Sequence, residues 1–148
     1  MLLNPPFLPG KVKRAEKELR DKAIFFLDLV GIPDAAEKRA DSLPYGTQRK
    51  LEIARALALE PKLLLLDEPA AGMNPEESMD LARLIREIRN KLDLTVFLIE
   101  HHMDLVMELC DYLYVINFGR ELAEGSPEAI QNDPAVLKAY LGEGYKRA

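Results

Sequence analysis

The sequence predicts an α/β protein with mainly parallel strands. Strand-like and helix-like patterns alternate through the second half of the chain, as in a sheet whose strands are joined by helical crossovers. The strand-like runs are short, apolar and without polar alternation, which is the pattern of strands buried on both faces. Of the 148 residues, 48% are apolar and 30% charged, which is enough to build a core and excludes wholesale disorder.

Each element follows from local chemistry. The first ten residues hold three prolines and a glycine and read as a loop or extended arm. From about Lys13 the pattern is helical, with Leu19, Ala23, Phe26, Leu27 and Val30 on one face. Gly31 suits the position after the helix end, and Pro33 blocks continuation. A short helical segment over 34–41 leads to a turn at Ser42–Gly46. A helix rich in Ala, Leu, Arg and Glu then runs from near Thr47 to Leu59, and Pro61 ends it.

Leu63–Leu66 is a four-residue apolar run closed by Asp67, Glu68 and Pro69. A helix fragment is one reading, but its length and boundaries favour a buried strand. Asn74 as N-cap, Pro75 as first residue and Glu77 three positions on form a capping box, followed by the stripe Leu81, Leu84, Ile85, Ile88 and Leu92. Thr95–Ile99 is a second strand, and a short helix follows over 103–110. Tyr112–Ile116 is a third strand, turning through Asn117–Arg120 into a fourth at about Glu121–Glu124. Two closing helices each begin at a proline, Pro127 and Pro134.

Charge narrows the function classes. The net charge of −5 opposes nucleic-acid binding, which favours a basic excess. Residues 1–62 carry net +3 and residues 63–148 net −8, so the two parts can belong to different subdomains or simply present different solvated faces. Cys110 is the single cysteine, which precludes an intrachain disulfide. The stretch Met1–Pro6 lacks the basic-then-apolar pattern of a secretory signal, and no apolar run approaches about 18 residues. A reducing, cytoplasmic setting is expected.

In parallel sheets, function collects at the carboxyl ends of the strands. Asp67 and Glu68 follow the first strand. One carboxylate can hold Mg²⁺ through water while the other polarises a water molecule; a plain acidic turn is the alternative. Glu100, His101 and His102 follow the second strand, where a histidine can donate to a phosphate oxygen or simply be solvated. Two adjacent histidines with no cysteine nearby do not suggest zinc. Gly46 opens a helix whose free N–H groups suit an anion, although entry turns of this kind are common.

The order of these signals is more specific than any one of them. Leu43 to Leu57 (LPYGTQRKLEIARAL) resembles the signature motif and following helix of ABC-type ATPases. Leu63–Asp67 resembles their Walker B strand, with Glu68 after it. Ala70–Asn74 lies at their D-loop and His101 at their switch histidine. Asp67–Pro75, Leu98–His101 and the tail Asp133–Gly142 resemble the ATP-binding subunits of branched-chain amino-acid importers. The resemblance covers essentially the whole chain. It implies an incomplete P-loop NTPase-like core. Residues 1–60 would be part of the helical subdomain with the signature; residues 61–148 would be the later half of the ATPase core.

By that resemblance, Asp67 would bind magnesium and Glu68 would be the general base. His101 would contact the γ-phosphate. Ser42, Leu43, Pro44, Tyr45, Gly46, Thr47 and Gln48 would meet a partner subunit's ATP, and Ala71, Gly72, Met73 and Asn74 would form the D-loop. The implied cofactors are ATP and Mg²⁺ in the complete protein. The implied partners are a second ATPase subunit, transmembrane permease subunits and, indirectly, a solute-binding protein, with no nucleic acid. The implied location is peripheral, at the inner face of the cell membrane.

The sequence also departs from the family pattern. Pro44 stands at the signature serine, Tyr45 at its first glycine and Thr47 at its glutamine; proline offers neither hydroxyl nor N–H. Asn74 replaces the D-loop aspartate and His102 the aspartate after the switch histidine. No G-x-x-x-x-G-K-[ST] phosphate loop occurs, since Gly10-Lys11 is followed by Val12. The chain is therefore expected to resemble a C-terminal portion, to energise an importer only as part of a larger whole, and to be inactive alone. A non-catalytic dimerisation or docking module is the main alternative. A DNA-associated ABC-type ATPase is a third, opposed by the acidic balance and the lack of heptads.

Overall fold

The computed structural model describes residues 10–141, so nine of the ten residues read as an extended arm lie outside the described residues, as does Gly142 of the tail motif; the tenth, Gly10, is instead helical, and the helix expected from about Lys13 starts there. The element order is α1 (Gly10–Leu29), 3-10 turns at Pro33–Ala35 and Ala40–Ser42, α2 (Tyr45–Leu57), β1 (Leu63–Asp67), α3 (Pro75–Leu92), β2 (Thr95–Ile99), α4 (Met103–Leu109), β3 (Leu113–Asn117), β4 (Arg120–Gly125), α5 (Pro127–Asn132) and α6 (Pro134–Leu141). The chain forms two units. One holds residues up to 73 together with 87–99, and the other holds 74–86 together with residues from 100 onward.

In the first unit α1 packs on α2. Phe26 and Val30 are buried, but Leu19 is 70% exposed and Ala23 is also open to solvent. The predicted apolar face of α1 is thus covered only toward its C-terminal end. The helix closes as expected from Gly31, which sits at φ +72°. Its N–H donates to the Asp28 carbonyl at 2.9 Å, and the Ile32 N–H donates to the Leu27 carbonyl at 2.9 Å. That pair of bonds satisfies carbonyls which a helix end otherwise leaves orphaned. The helical segment expected over 34–41 is instead two single 3-10 turns. Helix α2 begins and ends two residues earlier than expected, at Tyr45 and Leu57. Pro44 already directs the chain into the helix, because its carbonyl accepts from the Gln48 N–H at 2.9 Å. Ile53, Ala54 and Leu57 are its buried residues.

Strands β1 and β2 pair in parallel, with Leu63 opposite Thr95 and Asp67 opposite Ile99. The bonds Thr95 N–H to Lys62 carbonyl (3.0 Å) and Glu68 N–H to Ile99 carbonyl (2.9 Å) extend the ladder at both ends. The sheet has two unlike faces. Leu64 is buried, and Leu66, Val96 and Leu98 are half-buried, on one face. Leu63, Leu65, Phe97 and Ile99 are exposed on the other. The expectation of strands buried on both faces is therefore corrected, because among the described residues only one face is covered.

Helix α3 starts with the predicted capping box. The Glu77 N–H donates to Asn74 Oδ1 at 2.9 Å, and the Asn74 N–H donates back to Glu77 Oε2 at 3.0 Å. Leu81, Ala82, Ile85 and Ile88 are buried along it, with Leu84 and Leu92 half-buried.

In the second unit β3 and β4 form an antiparallel hairpin of their own, with a bulge between Val115 and Ile116. The third strand expected from the alternation has no parallel partner among the described residues. Phe118 and Gly119 lie at φ +48° and +74°, a two-residue turn whose twist matches the flanking strands and holds β3 to its immediate neighbour in sequence. Leu113, Ile130 and Val136 form the buried cluster, with Val106, Met107 and Leu122 packed against it. Ser126 caps α5 by accepting from the Ala129 N–H at 3.3 Å. Asp133 caps α6 by accepting from the N–H groups of Ala135 (2.7 Å) and Val136 (3.1 Å).

Candidate functional site

Two clusters of predicted site residues occur, one in each unit. In the first unit, Asp67 ends β1 and Glu68 follows at φ +44°. A non-glycine residue in this left-handed region carries roughly 1–2 kcal/mol of strain, so its surroundings must hold it there. They do so on both sides. Its N–H donates to Ile99, and its carbonyl accepts from the Ala71 N–H at 3.0 Å. Both carboxylate residues are exposed.

The turn after Glu68 is braced from α2. The Tyr45 hydroxyl donates to the Ala71 carbonyl at 2.7 Å. Its ring lies over Gly72, where a Cβ would meet it at 3.4 Å, and Gly72 itself sits at φ +79°. Arg49 Nε (3.1 Å) and a terminal nitrogen (2.7 Å) both donate to that hydroxyl, and Arg49 pairs with Glu52 at 2.8 Å. The hydrogen bond to Glu52, and after it the one to Tyr45, hold the guanidinium above its already high range. The Met73 N–H donates to the Ala70 carbonyl at 3.1 Å and closes the turn. The sequence therefore brings Tyr45 together with Ala71 and Gly72 in the same unit, a contact that spacing alone does not announce.

The other signature-like residues surround the start of α2. Ser42 Oγ donates to the Arg39 carbonyl at 2.7 Å, Leu43 is buried, and Gln48 Nε2 donates to the Leu43 carbonyl at 2.8 Å. Pro44 is exposed, Gly46 and Thr47 half-buried, and no atom lies within 4 Å of where a Cβ on Gly46 would stand.

In the second unit, Asn74 caps α3, and Glu100, His101 and His102 precede α4. The Glu100 side chain is fully buried. It accepts from the His101 N–H at 3.1 Å and bonds His102 Nδ1 at 2.8 Å. The two imidazoles stack with centroids 4.3 Å apart and remain exposed. The ligand atoms of these three residues lie within 4.8 Å of one another, but the glutamate is already engaged in hydrogen bonds. In the sequence Glu100 simply precedes the two histidines, and nothing in the spacing gives it a role. Its burial is the feature that sequence cannot supply.

Mg²⁺ keeps most of its water and needs one or two carboxylates plus phosphate oxygens, which Asp67 and Glu68 suit. ATP fits less fully, because the sequence contains no phosphate loop to cradle it.

Residues 4–71 match the family described as ABC transporter, and residues 120–146 match that described as branched-chain amino acid ATP-binding cassette transporter. The chain is 50% identical over 131 residues to the high-affinity branched-chain amino acid transport ATP-binding protein LivG of Escherichia coli, covering 88% of this chain and 51% of that protein. It is 48% identical over 146 residues to BraF of Pseudomonas aeruginosa, a protein of the same description, covering 95% and 57%. Among solved structures, it matches MJ1267, an ATP-binding cassette of an ABC transporter, with a TM-score of 0.78 and 31% identity over 93% of this chain and 54% of that one. The chain spans about half the length of the curated relatives it matches.

In fold and in sequence the chain is similar to part of an ATP-binding cassette of the ABC transporters. Within that class the chain is a relative of the branched-chain amino acid transport ATP-binding proteins.

Proposed function

We propose that this chain supplies the water-activating part of an ATPase that energises a membrane importer of branched-chain or similar amino acids. The observation that carries the proposal is the Asp67–Glu68 pair at the carboxyl end of β1, with the Glu68 backbone pinned between Ile99 and Ala71 in a strained conformation. Such strain, held by the surroundings, is what a site uses to aim a carboxylate. The names of the relatives support the transport assignment.

In this reading Glu68 orients a water molecule and takes its proton. Asp67 holds magnesium through water, and the ion would neutralise charge on the phosphates. His101 donates a hydrogen bond to a terminal phosphate oxygen, while Glu100 fixes its backbone and the neighbouring ring. Residues 42–48, with the open start of α2, face the nucleotide of a second ATPase subunit, and the Ala71–Asn74 turn acts as the D-loop. Transmembrane permease subunits and, through them, a solute-binding protein complete the machine, at the inner face of the cell membrane. Among the described residues no helix is long and apolar enough to cross a membrane.

The test is a chimera in which residues 10–141 replace the matching segment of the Escherichia coli relative. The chimera is expected to hydrolyse Mg-ATP and to support leucine uptake with its permease. A folded chimera that binds nucleotide but shows no hydrolysis would overturn the proposal.

A further inference from the structure

The Tyr45 hydroxyl has one proton to give and two lone pairs to fill, and all three are engaged. Arg49 donates to it twice, from Nε at 3.1 Å and from a terminal nitrogen at 2.7 Å. A guanidinium only donates, so the hydroxyl proton points to the Ala71 carbonyl, 2.7 Å away. Donation from a cation polarises the hydroxyl and strengthens the bond that it makes in turn. The other terminal nitrogen of Arg49 donates to Glu52 at 2.8 Å and fixes the guanidinium. A hydroxyl saturated in this way has nothing left to offer a phosphate. The resemblance groups Tyr45 with residues that meet a nucleotide, but its side chain is committed to the turn after Glu68.

One further bond carries the brace to Glu68. The Ala71 N–H donates to the Glu68 carbonyl at 3.0 Å, and the Glu68 N–H donates to the Ile99 carbonyl at 2.9 Å. Those two bonds hold Glu68 at φ +44°, a conformation that a non-glycine residue keeps only when its surroundings impose it. The Tyr45 ring also lies 3.4 Å from where a Cβ on Gly72 would stand, which leaves the turn little room to shift toward α2. We propose that Tyr45 is a positioning residue for Glu68: its hydroxyl, oriented by Arg49 and Glu52, locks the Glu68–Gly72 turn in the conformation that aims the Glu68 carboxylate. This role rests on the functional reading of Glu68 as the water-activating base. A glycine at position 45, as in the family's signature pattern, has no hydroxyl for the purpose.

The experiment removes the hydroxyl and keeps the ring, with Tyr45→Phe in two settings. In the full 148-residue chain, hydrogen exchange is expected to become about tenfold faster at the Glu68 and Ala71 amides. Exchange at Ile53 and Ala54, buried in α2, should stay unchanged and so report an intact fold. In the chimera described above, kcat for Mg-ATP hydrolysis is expected to fall about tenfold with KM unchanged, the signature of a misplaced base rather than of lost nucleotide binding. Arg49→Met removes every donor from the hydroxyl's far side and should cost about threefold in kcat. The double variant should be no worse than Tyr45→Phe alone, because both residues act through one bond. Should Tyr45→Phe disturb α2 itself, Arg49→Met carries the same test. Losses that multiply in the double variant, or unchanged exchange at Glu68 and Ala71, would overturn the proposal. A raised KM with kcat intact would overturn it too, by making the hydroxyl a nucleotide ligand. An unsubstituted chimera without hydrolysis overturns the reading of Glu68 as the base and this role with it, whereas an active chimera indifferent to Tyr45→Phe overturns this role alone.

Discussion

Glu68 concentrates the chemistry proposed for this chain into one strained backbone position. In the chimera, Glu68→Gln keeps the shape and removes the base. It is expected to lower hydrolysis by about 10²–10⁴-fold while nucleotide binding survives; retained hydrolysis would reassign the base. Gly46 offers a cleaner separation. It is helical, and a Cβ there meets nothing within 4 Å. Gly46→Ala is therefore expected to stabilise the chain by up to about 1 kcal/mol in urea unfolding, yet to lower hydrolysis by the chimera, where a nucleotide would approach the backbone. A variant both more stable and fully active would argue against contact at residues 42–48. Tyr45→Phe removes the hydroxyl that the Ala71 carbonyl and Arg49 share. Faster amide exchange at Ala71 and Met73 is the expected signature.

Elements with local signals were legible in the sequence. The bounds of β2, the Asn74–Glu77 box and the proline-started α5 and α6 all follow from residues within four positions of one another. Asn74→Ala is expected to cost about 1 kcal/mol in urea unfolding, since it removes the side-chain half of that box. Gly31→Ala should cost a similar amount, because a side chain at φ +72° strains the end of α1. Partners distant in sequence were not legible. The period of α1 marks an apolar face, but only packing decides that Phe26 is covered and Leu19 is not. An apolar run such as Leu63–Leu66 reads as buried on both sides, yet burial depends on what lies across from it. The hairpin of β3 and β4 follows the same logic in reverse. Its tight turn was visible at Asn117–Arg120, and that turn settles the pairing of one edge of β3 and leaves the other edge undecided. That Asp67 and Glu68 follow β1 and His101 follows β2 was legible from the strand pattern, whereas the Tyr45 brace and the burial of Glu100 were not.

At the scale of the whole molecule, the chain holds motif-bearing residues without a phosphate loop. Isothermal titration of Mg-ATP into the purified chain is expected to show no micromolar binding. A clear micromolar isotherm would mean that the residues present suffice. The uncovered leucine and phenylalanine row on β1 and β2 also has a meaning inside a cell. Chaperones and proteases recognise accessible apolar side chains, so whenever that row is open the protein is expected to be a client of quality control. Pulse-chase turnover of the protein carrying Leu65→Ser and Phe97→Ser is expected to be slower than that of the unchanged sequence if those side chains are the recognised ones.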